Sequence, residues 1–304
     1  MINDYVNKLI ENLPDNIKNC KEPEKIDLVL DGGIFNGSYL VGALHFLKEM
    51  EKRNYIKIDR ISGCSIGSSV AFLYFIDALD LMPQLYDIVN NEFKNSYRIN
   101  TIKNLKKHLN GRIPDDICEK VNDKLFITYN NIKKGTKSVK SVYKNVDEII
   151  NTIIKSSFIP YLIDGNILYE NKYIDGINPY IFKERIKKIL YLDLYGNDKI
   201  GNLLNVKNEK TNFHRILSGL LDIHSFFIKQ SNTSMCSYVN DWGYSNKCFN
   251  YIKMIIEKIC IYFIKILILL KNKIPDEFRE MVIYKILSKV SNDIFIVLLE
   301  SYCF

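Results

Sequence analysis

The chain is short of the residues that mark several large protein classes. It holds one tryptophan, four histidines, seven prolines and fourteen glycines in 304 residues. So little proline and glycine excludes a collagen-like or low-complexity chain. With 47% hydrophobic residues, there is enough apolar material for one large core. No two of the seven cysteines form a C-x-x-C pair, and their number is odd. That argues against a zinc site or a disulfide framework and for reduced, intracellular thiols. The opening residues, MINDYVNKLIENLPDNIKNC, lack the apolar centre of a signal peptide, so a cytoplasmic location is expected. The formal net charge is +7, but the basic residues are scattered and form no arginine-rich stripe. Nucleic acid is therefore not an expected partner, while a mild positive field suits an anionic membrane surface. Nothing in the sequence sets the oligomeric state.

What is present begins with two short apolar runs that stop at glycines. KIDLVLDGG carries Ile26, Leu28, Val29 and Leu30 into Gly32-Gly33, and IKIDRISG carries Ile56, Ile58 and Ile61 into Gly63. Each predicts a buried strand. Between them NGSYLVGALHFLKEMEKRN has helical spacing. After them SIGSSVAFLYFIDALD is apolar nearly all round from Val70 to Ile76, as a buried helix is. Strand, turn, helix, strand, turn, helix predicts a parallel sheet covered on both faces. Further strands are expected in KLFITYNN and KKILYLDLYG, a helix in NVDEIINTIIKSS, and a hairpin or short strand ending at Asp175-Gly176.

The expected division is an N-terminal helix and linker over 1–24, a core over 25–200, a polar irregular or helical segment over 201–249, and a helical layer over 250–304 packed on the core. Within 250–272, Asn250, Lys253, Glu257, Lys258, Lys265 and Lys271 fall in a helical sector of about 140°. The longest uncharged run there, Ile259 to Ile264, is too short to span a bilayer. The segment reads either as a core helix or as a membrane-surface helix with a cationic stripe. A further helix is expected in NKIPDEFREMVIYKILSKV, with Pro275 at its start and Asp276 and Glu277 in its first turn.

Two glycine turns carry the candidate chemistry. In DGGIFNG the glycines precede a helix, where unpaired N–H groups point outward. G-K-[ST] is absent, and Gly32, Gly33 and Gly37 do not fit G-x-G-x-x-G, so an oxyanion hole fits this loop better than a phosphate loop. ISGCSIGSS places Ser65 between Gly63 and Gly67 as G-x-S-x-G, with a strand before and a buried helix after, which suits a nucleophile elbow. The serine needs a base. A triad would draw on His214 or His224, late in the chain, whereas a dyad would draw on Asp175 in YIDGINPY, if burial raises its pKa. His45 and His108 sit in no motif. On the residues alone these alternatives stay open.

The order D-G-G…G, then G-x-S-x-G, then a late D-G resembles the patatin-like phospholipases. KIDLVLDGGIFNGSYLVGALHFLKE resembles that family's first strand, oxyanion loop and helix. IDRISGCSIGSSVAFLY resembles its elbow, IIKSSFIPYL its A-S-S-x-x-P segment, and YENKYIDGINPYIF its aspartate segment, together covering roughly residues 25–200. The resemblance implies a three-layer α/β/α sandwich with a mainly parallel sheet. It implies fatty-acyl ester hydrolysis of phospholipids or related lipids, needing no metal or other cofactor, with an acyl lipid and a membrane surface as partners. Ser65 would be the nucleophile, Asp175 the base, and the N–H groups of Gly32, Gly33 and Ile34 the oxyanion hole. The family usually carries glycine at the position of Ile34, Arg or Lys at Asn36, and a second glycine at Ile177. Isoleucine keeps the N–H but does not take positive φ cheaply. Without the basic side chain a partner for lipid phosphate is missing. The alternative is the same fold without activity, serving as a lipid- or protein-binding module.

Overall fold

The computed structural model describes residues 2–109, 111–184, 187–196, 198–207, 209, 211–273, 275, 277 and 281–303. Seven strands form one sheet: β1 (Glu24–Leu30), β2 (Ile56–Cys64), β3 (Leu125–Asn131), β4 (Thr136–Lys140), β5 (Tyr173–Ile174), β6 (Lys188–Leu192) and β7 (Cys236–Tyr238). The order across it is β4-β3-β2-β1-β6-β7. β1 lies at the centre, parallel to β2 and β6, and β2 is parallel to β3. β4, β5 and β7 pair antiparallel at the margins.

The helices are α1 (Ile2–Glu11), α2 (Asp15–Lys18), α3 (Gly37–Lys52), α4 (Ile66–Phe75), α5 (Met82–Ser96), α6 (Leu105–His108), α7 (Ile117–Val121), α8 (Val146–Ser156), α9 (Phe213–Lys229), α10 (Tyr244–Lys273) and α11 (Val282–Cys303). They flank the sheet in a three-layer α/β/α arrangement, as expected. β1 shows why both faces must be covered. Leu28 and Leu30 enter the main core with α3 and α4, while Val29 between them enters a second cluster with Phe182, Tyr191 and Trp242. Alternate side chains of a strand point to opposite faces, so an unbroken apolar run requires two apolar neighbours.

α3 and α9 approach closely enough to exclude side chains at their crossing. A Cβ added to Gly42 would lie 1.9 Å from the carbonyl oxygen of Ile216, and one added to Gly219 would lie 1.9 Å from that of Tyr39. Within 201–249, expected to be polar and irregular or helical, α9 is a helix with an apolar face: Ile216, Leu220, Ile223, Phe226 and Phe227 join the main core. β4 and β7 were not expected from the sequence. The start of the helix expected at Pro275–Glu277 falls partly outside the described residues, and α11 begins at Val282. Among the described residues no helix is long and apolar enough to cross a membrane. Six of the cysteines are free thiols.

Candidate active site

The register of the sheet brings Ser65 and Asp175 together. β2 pairs with β3 up to Cys64 opposite Thr128 and ends there. β5 then pairs with Asn130 and Asn131 of the same strand. β4 already occupies the other side of those residues, so β5 continues the edge that β2 leaves. Ser65 therefore leaves the sheet where Asp175 arrives.

Ser65 sits at φ 51°, ψ −130°, between β2 and α4, with 4% of its surface exposed. A non-glycine residue at positive φ is costly and marks a tight, over-determined turn. The turn is packed backbone to backbone. A Cβ on Gly63 would lie 2.7 Å from the carbonyl carbon of Gly67, and one on Gly67 would lie 2.5 Å from the carbonyl oxygen of Asp31. Both glycines of the expected elbow are thus required by close approach.

One residue at the end of α8 braces Ser65 and the residue that follows Asp175. The carbonyl of Ser156 accepts from the N–H of Ser65 at 3.1 Å and from that of Gly176 at 3.1 Å. Its hydroxyl also accepts from the Ser65 N–H at 3.0 Å and donates to the Thr128 carbonyl at 2.6 Å. The Asp175 N–H donates to the Phe158 carbonyl at 3.0 Å. The Ser65 side chain lies near enough to the Asp175 carboxylate to lower its pKa by hydrogen bonding. Burial raises the Asp175 pKa to about 7, against the lowering hydrogen bond from Ser65, with the nearby charge of Glu257 raising it further. Its Oδ1 is buried and has no hydrogen-bond partner among the described residues. A carboxylate so placed can take a proton from the serine near neutral pH.

The loop expected to form an oxyanion hole differs from expectation at Gly32. Its N–H donates to its neighbour's carboxylate, Asp31 Oδ1, at 3.0 Å. The N–H of Phe35 donates to Leu203 and that of Asn36 to Gly33. The N–H groups of Gly33 and Ile34 have no such partner among the described residues, which leaves two donors of the expected three. Ile34 adopts φ 41°, the left-handed conformation a β-branched residue avoids. Asn36 is buried. Its amide donates to the carbonyls of Leu194 and Lys199, at 3.2 and 2.9 Å, and its oxygen accepts from Arg215 of α9 at 2.8 Å. Arg215 is fully buried and also binds Glu209 and the carbonyls of Asn202 and Asn205. A guanidinium thus stands behind the loop, but it is closed to a lipid phosphate.

The cationic stripe expected over 250–272 is corrected: its middle points inward. The ammonium of Lys253 reaches Asp31 Oδ2 and donates to the Tyr191 hydroxyl at 3.0 Å. Burial raises the Asp31 pKa to about 6, while Lys253 pulls it down. Glu257, 5% exposed, accepts from Asn130 at 3.0 Å, from Asn178 at 2.9 Å and from Lys137 at 3.0 Å. Asn130 also donates to the Asp175 carbonyl at 2.9 Å. Lys253 therefore supports the Gly32-Gly33 loop through Asp31, and Glu257 supports the segment of Asp175. Their signal in the sequence was their spacing, four residues apart in the polar sector. The two triad candidates lie elsewhere. His214 is mostly exposed beside Glu209, and His224 packs edge-on against Phe46. Neither lines the Ser65 cavity.

That cavity is almost wholly apolar. It opens between α4, α5, α6 and the oxyanion loop, is lined by Ile34, Phe35, Leu73, Leu85, Ile99 and Leu105 among others, and holds about 810 Å³ of empty space including its mouth. Among the described residues no cluster of histidine, cysteine, aspartate or glutamate could hold a metal ion. The arrangement can activate a serine at the edge of a pocket suited to hydrocarbon.

Residues 28–177 match the family model of the patatin-like phospholipases. A protein named probable lipid hydrolase 463L, from Invertebrate iridescent virus 6, is 32% identical over 177 residues, which cover 49% of this chain and 58% of that protein. The 1-acylglycerol-3-phosphate O-acyltransferase Pnpla3 of Mus musculus is 27% identical over 154 residues, covering 47% of this chain and 37% of that one. Both alignments thus span well under two thirds of the relatives' own length. Among solved structures, VipD from Legionella pneumophila overlaps 54% of this chain and 48% of its own, with a TM-score of 0.31 and 14% identity.

Proposed function

Since residues 28–177 belong to the patatin-like phospholipase family, we propose that this protein is a serine acyl hydrolase that cleaves fatty-acyl esters of phospholipids or related lipids through a Ser65–Asp175 dyad. The observation that carries this reading is the placement of a buried, strained serine against a carboxylate of raised pKa at the mouth of an apolar pocket. In the first step Asp175 takes the Ser65 proton as Oγ attacks the ester carbonyl. The N–H groups of Gly33 and Ile34 stabilise the oxyanion. Collapse expels the alcohol, which receives the proton from Asp175 and leaves an acyl-enzyme with its chain in the pocket. Water then gives a proton to Asp175 and attacks the acyl carbon. The fatty acid departs, and the proton returns to Ser65. The reading includes a peripheral membrane surface as the place where substrate is met, with no nucleic-acid partner and a cytoplasmic setting.

The test is labelling of the purified protein with a fluorophosphonate probe, which reacts only with an activated serine. Wild type is expected to label, while Ser65→Ala and Asp175→Asn lose labelling and His214→Ala and His224→Ala keep it. A folded wild type that fails to label would instead support a binding module on the same fold.

A further inference from the structure

α10 is an amphipathic helix turned the opposite way from an ordinary surface helix. Its buried side carries Lys253 and Glu257, held by the contacts described above, with Ile264. Its outer side carries Tyr251, Ile255, Ile259, Tyr262, Ile266 and Leu269, all exposed, Tyr262 by 66%. A soluble protein rarely presents so long an unbroken apolar face, and one that does presents it to a partner.

The charge pattern names the kind of partner. The single acidic residue of α10 is Glu257, and it is buried and paired. Lys247 and Lys258 are exposed, and with half-buried Lys265 they lie along one edge of the apolar face at helical spacing. An apolar face with tyrosines, bordered by lysines and bare of exposed acid, suits a surface that is hydrocarbon within and anionic at its rim. The lysines and apolar residues alternate too closely for the helix to span a bilayer.

We propose that α10 lies in the plane of an anionic lipid surface, with Ile255, Ile259 and Ile266 inserted at the headgroup–acyl boundary and Lys247 and Lys258 against the headgroups. This rests on the acyl-hydrolase reading only for the choice of partner. The helix then contacts lipid on one side and the site on the other, through Lys253 to the oxyanion loop and through Glu257 to the segment of Asp175. The protein meets its substrate on the same element that supports its catalytic groups.

The experiment is co-sedimentation of the full chain with phosphatidylcholine vesicles, with and without phosphatidylserine, beside fluorophosphonate labelling in vesicle-free solution. Wild type and Ser65→Ala are expected to bind the anionic vesicles equally. Ile255→Glu with Ile259→Glu should weaken binding by on the order of ten-fold or more. Lys247→Glu with Lys258→Glu should weaken it several-fold on anionic vesicles and little on neutral ones. All these variants except Ser65→Ala should label at the wild-type rate, since the altered side chains point away from the site. Binding that survives the paired isoleucine substitutions overturns the proposal. So does absent vesicle binding together with a dimer, seen by sedimentation velocity, that those substitutions dissociate. Failure of labelling with intact vesicle binding would count against the hydrolase reading alone.

Discussion

The ammonium group of Lys253 meets the carboxylate of Asp31 across 222 positions of sequence, and the same carboxylate accepts the N–H of Gly32 at 3.0 Å. The ion pair is buried and anchors the strand end from which the Gly32-Gly33 loop departs. Lys253→Met leaves Asp31 without its countercharge, so its pKa moves further up and the group takes a proton. Breaking a buried pair costs about 3–5 kcal/mol, less here to the extent that Asp31 protonates. Thermal melting should show the loss, and Ser65 labelling should slow by on the order of ten-fold. Unchanged labelling in a destabilised variant would mean that the pair serves the fold and not the loop.

Acylation should follow the ionisation of Asp175. A base with pKa about 7 gives a labelling rate that rises through neutrality and levels off above it. The negative charge of Glu257 contributes to the raised value, so Glu257→Gln should move the midpoint to lower pH. A pH–rate profile of labelling checks both points. A midpoint that moves upward in Glu257→Gln contradicts the electrostatic account.

The same carboxyl should cost stability. Folded Asp175 keeps its proton up to about pH 7, while the unfolded side chain releases it near 3.8. Between those values the folded state binds more protons, so stability falls as pH rises. Asp31, raised to about 6, acts in the same direction. Asp175→Asn does not titrate and should match wild type near pH 4 and exceed it above pH 7. Each factor of ten in an ionisation constant corresponds to about 1.4 kcal/mol, and after allowance for the partial exposure of the residue a gain on the order of 2 kcal/mol is expected. Urea denaturation at pH 4 and pH 8 measures it.

Alanine at Gly42 or Gly219 should destabilise. In an ordinary helix interior glycine to alanine gains about 1 kcal/mol. Here the new methyl would lie 1.9 Å from a carbonyl oxygen of the facing helix, so α3 and α9 must separate. Overpacking of this kind costs about 1–3 kcal/mol or more. The sign decides the matter, since a rise in melting temperature would mean that the helices do not approach as described.

Where the sequence pattern failed, the cause was physical. The strands around β1 and the helix α4 were legible because apolar runs buried on both sides end abruptly at glycine. β4 was hidden because TKSVK is a marginal strand with little of its surface buried and almost no apolar residue. That α9 packs into the core was hidden by the Asn-rich stretches before and after it and by Arg215, a residue rarely found fully buried. Ser65 and Asp175 stood out by their glycines. The role of Ser156 did not, because it works mainly through a backbone carbonyl, which every residue possesses. α10 was found as a helix but faced the wrong way. A polar stripe turns to water by default, whereas this one meets a buried carboxylate and two buried amides.

The double duty of the Ser156 carbonyl has a mechanical consequence. Ser65 and Gly176, the residue after Asp175, hang from a single peg, so when α8 shifts against the sheet, both travel with it. Their spacing is then a difference from which the common displacement cancels, much as a balanced circuit rejects noise shared by its two inputs. Heating or pressure that loosens the surrounding layers would move the pair long before it parted them.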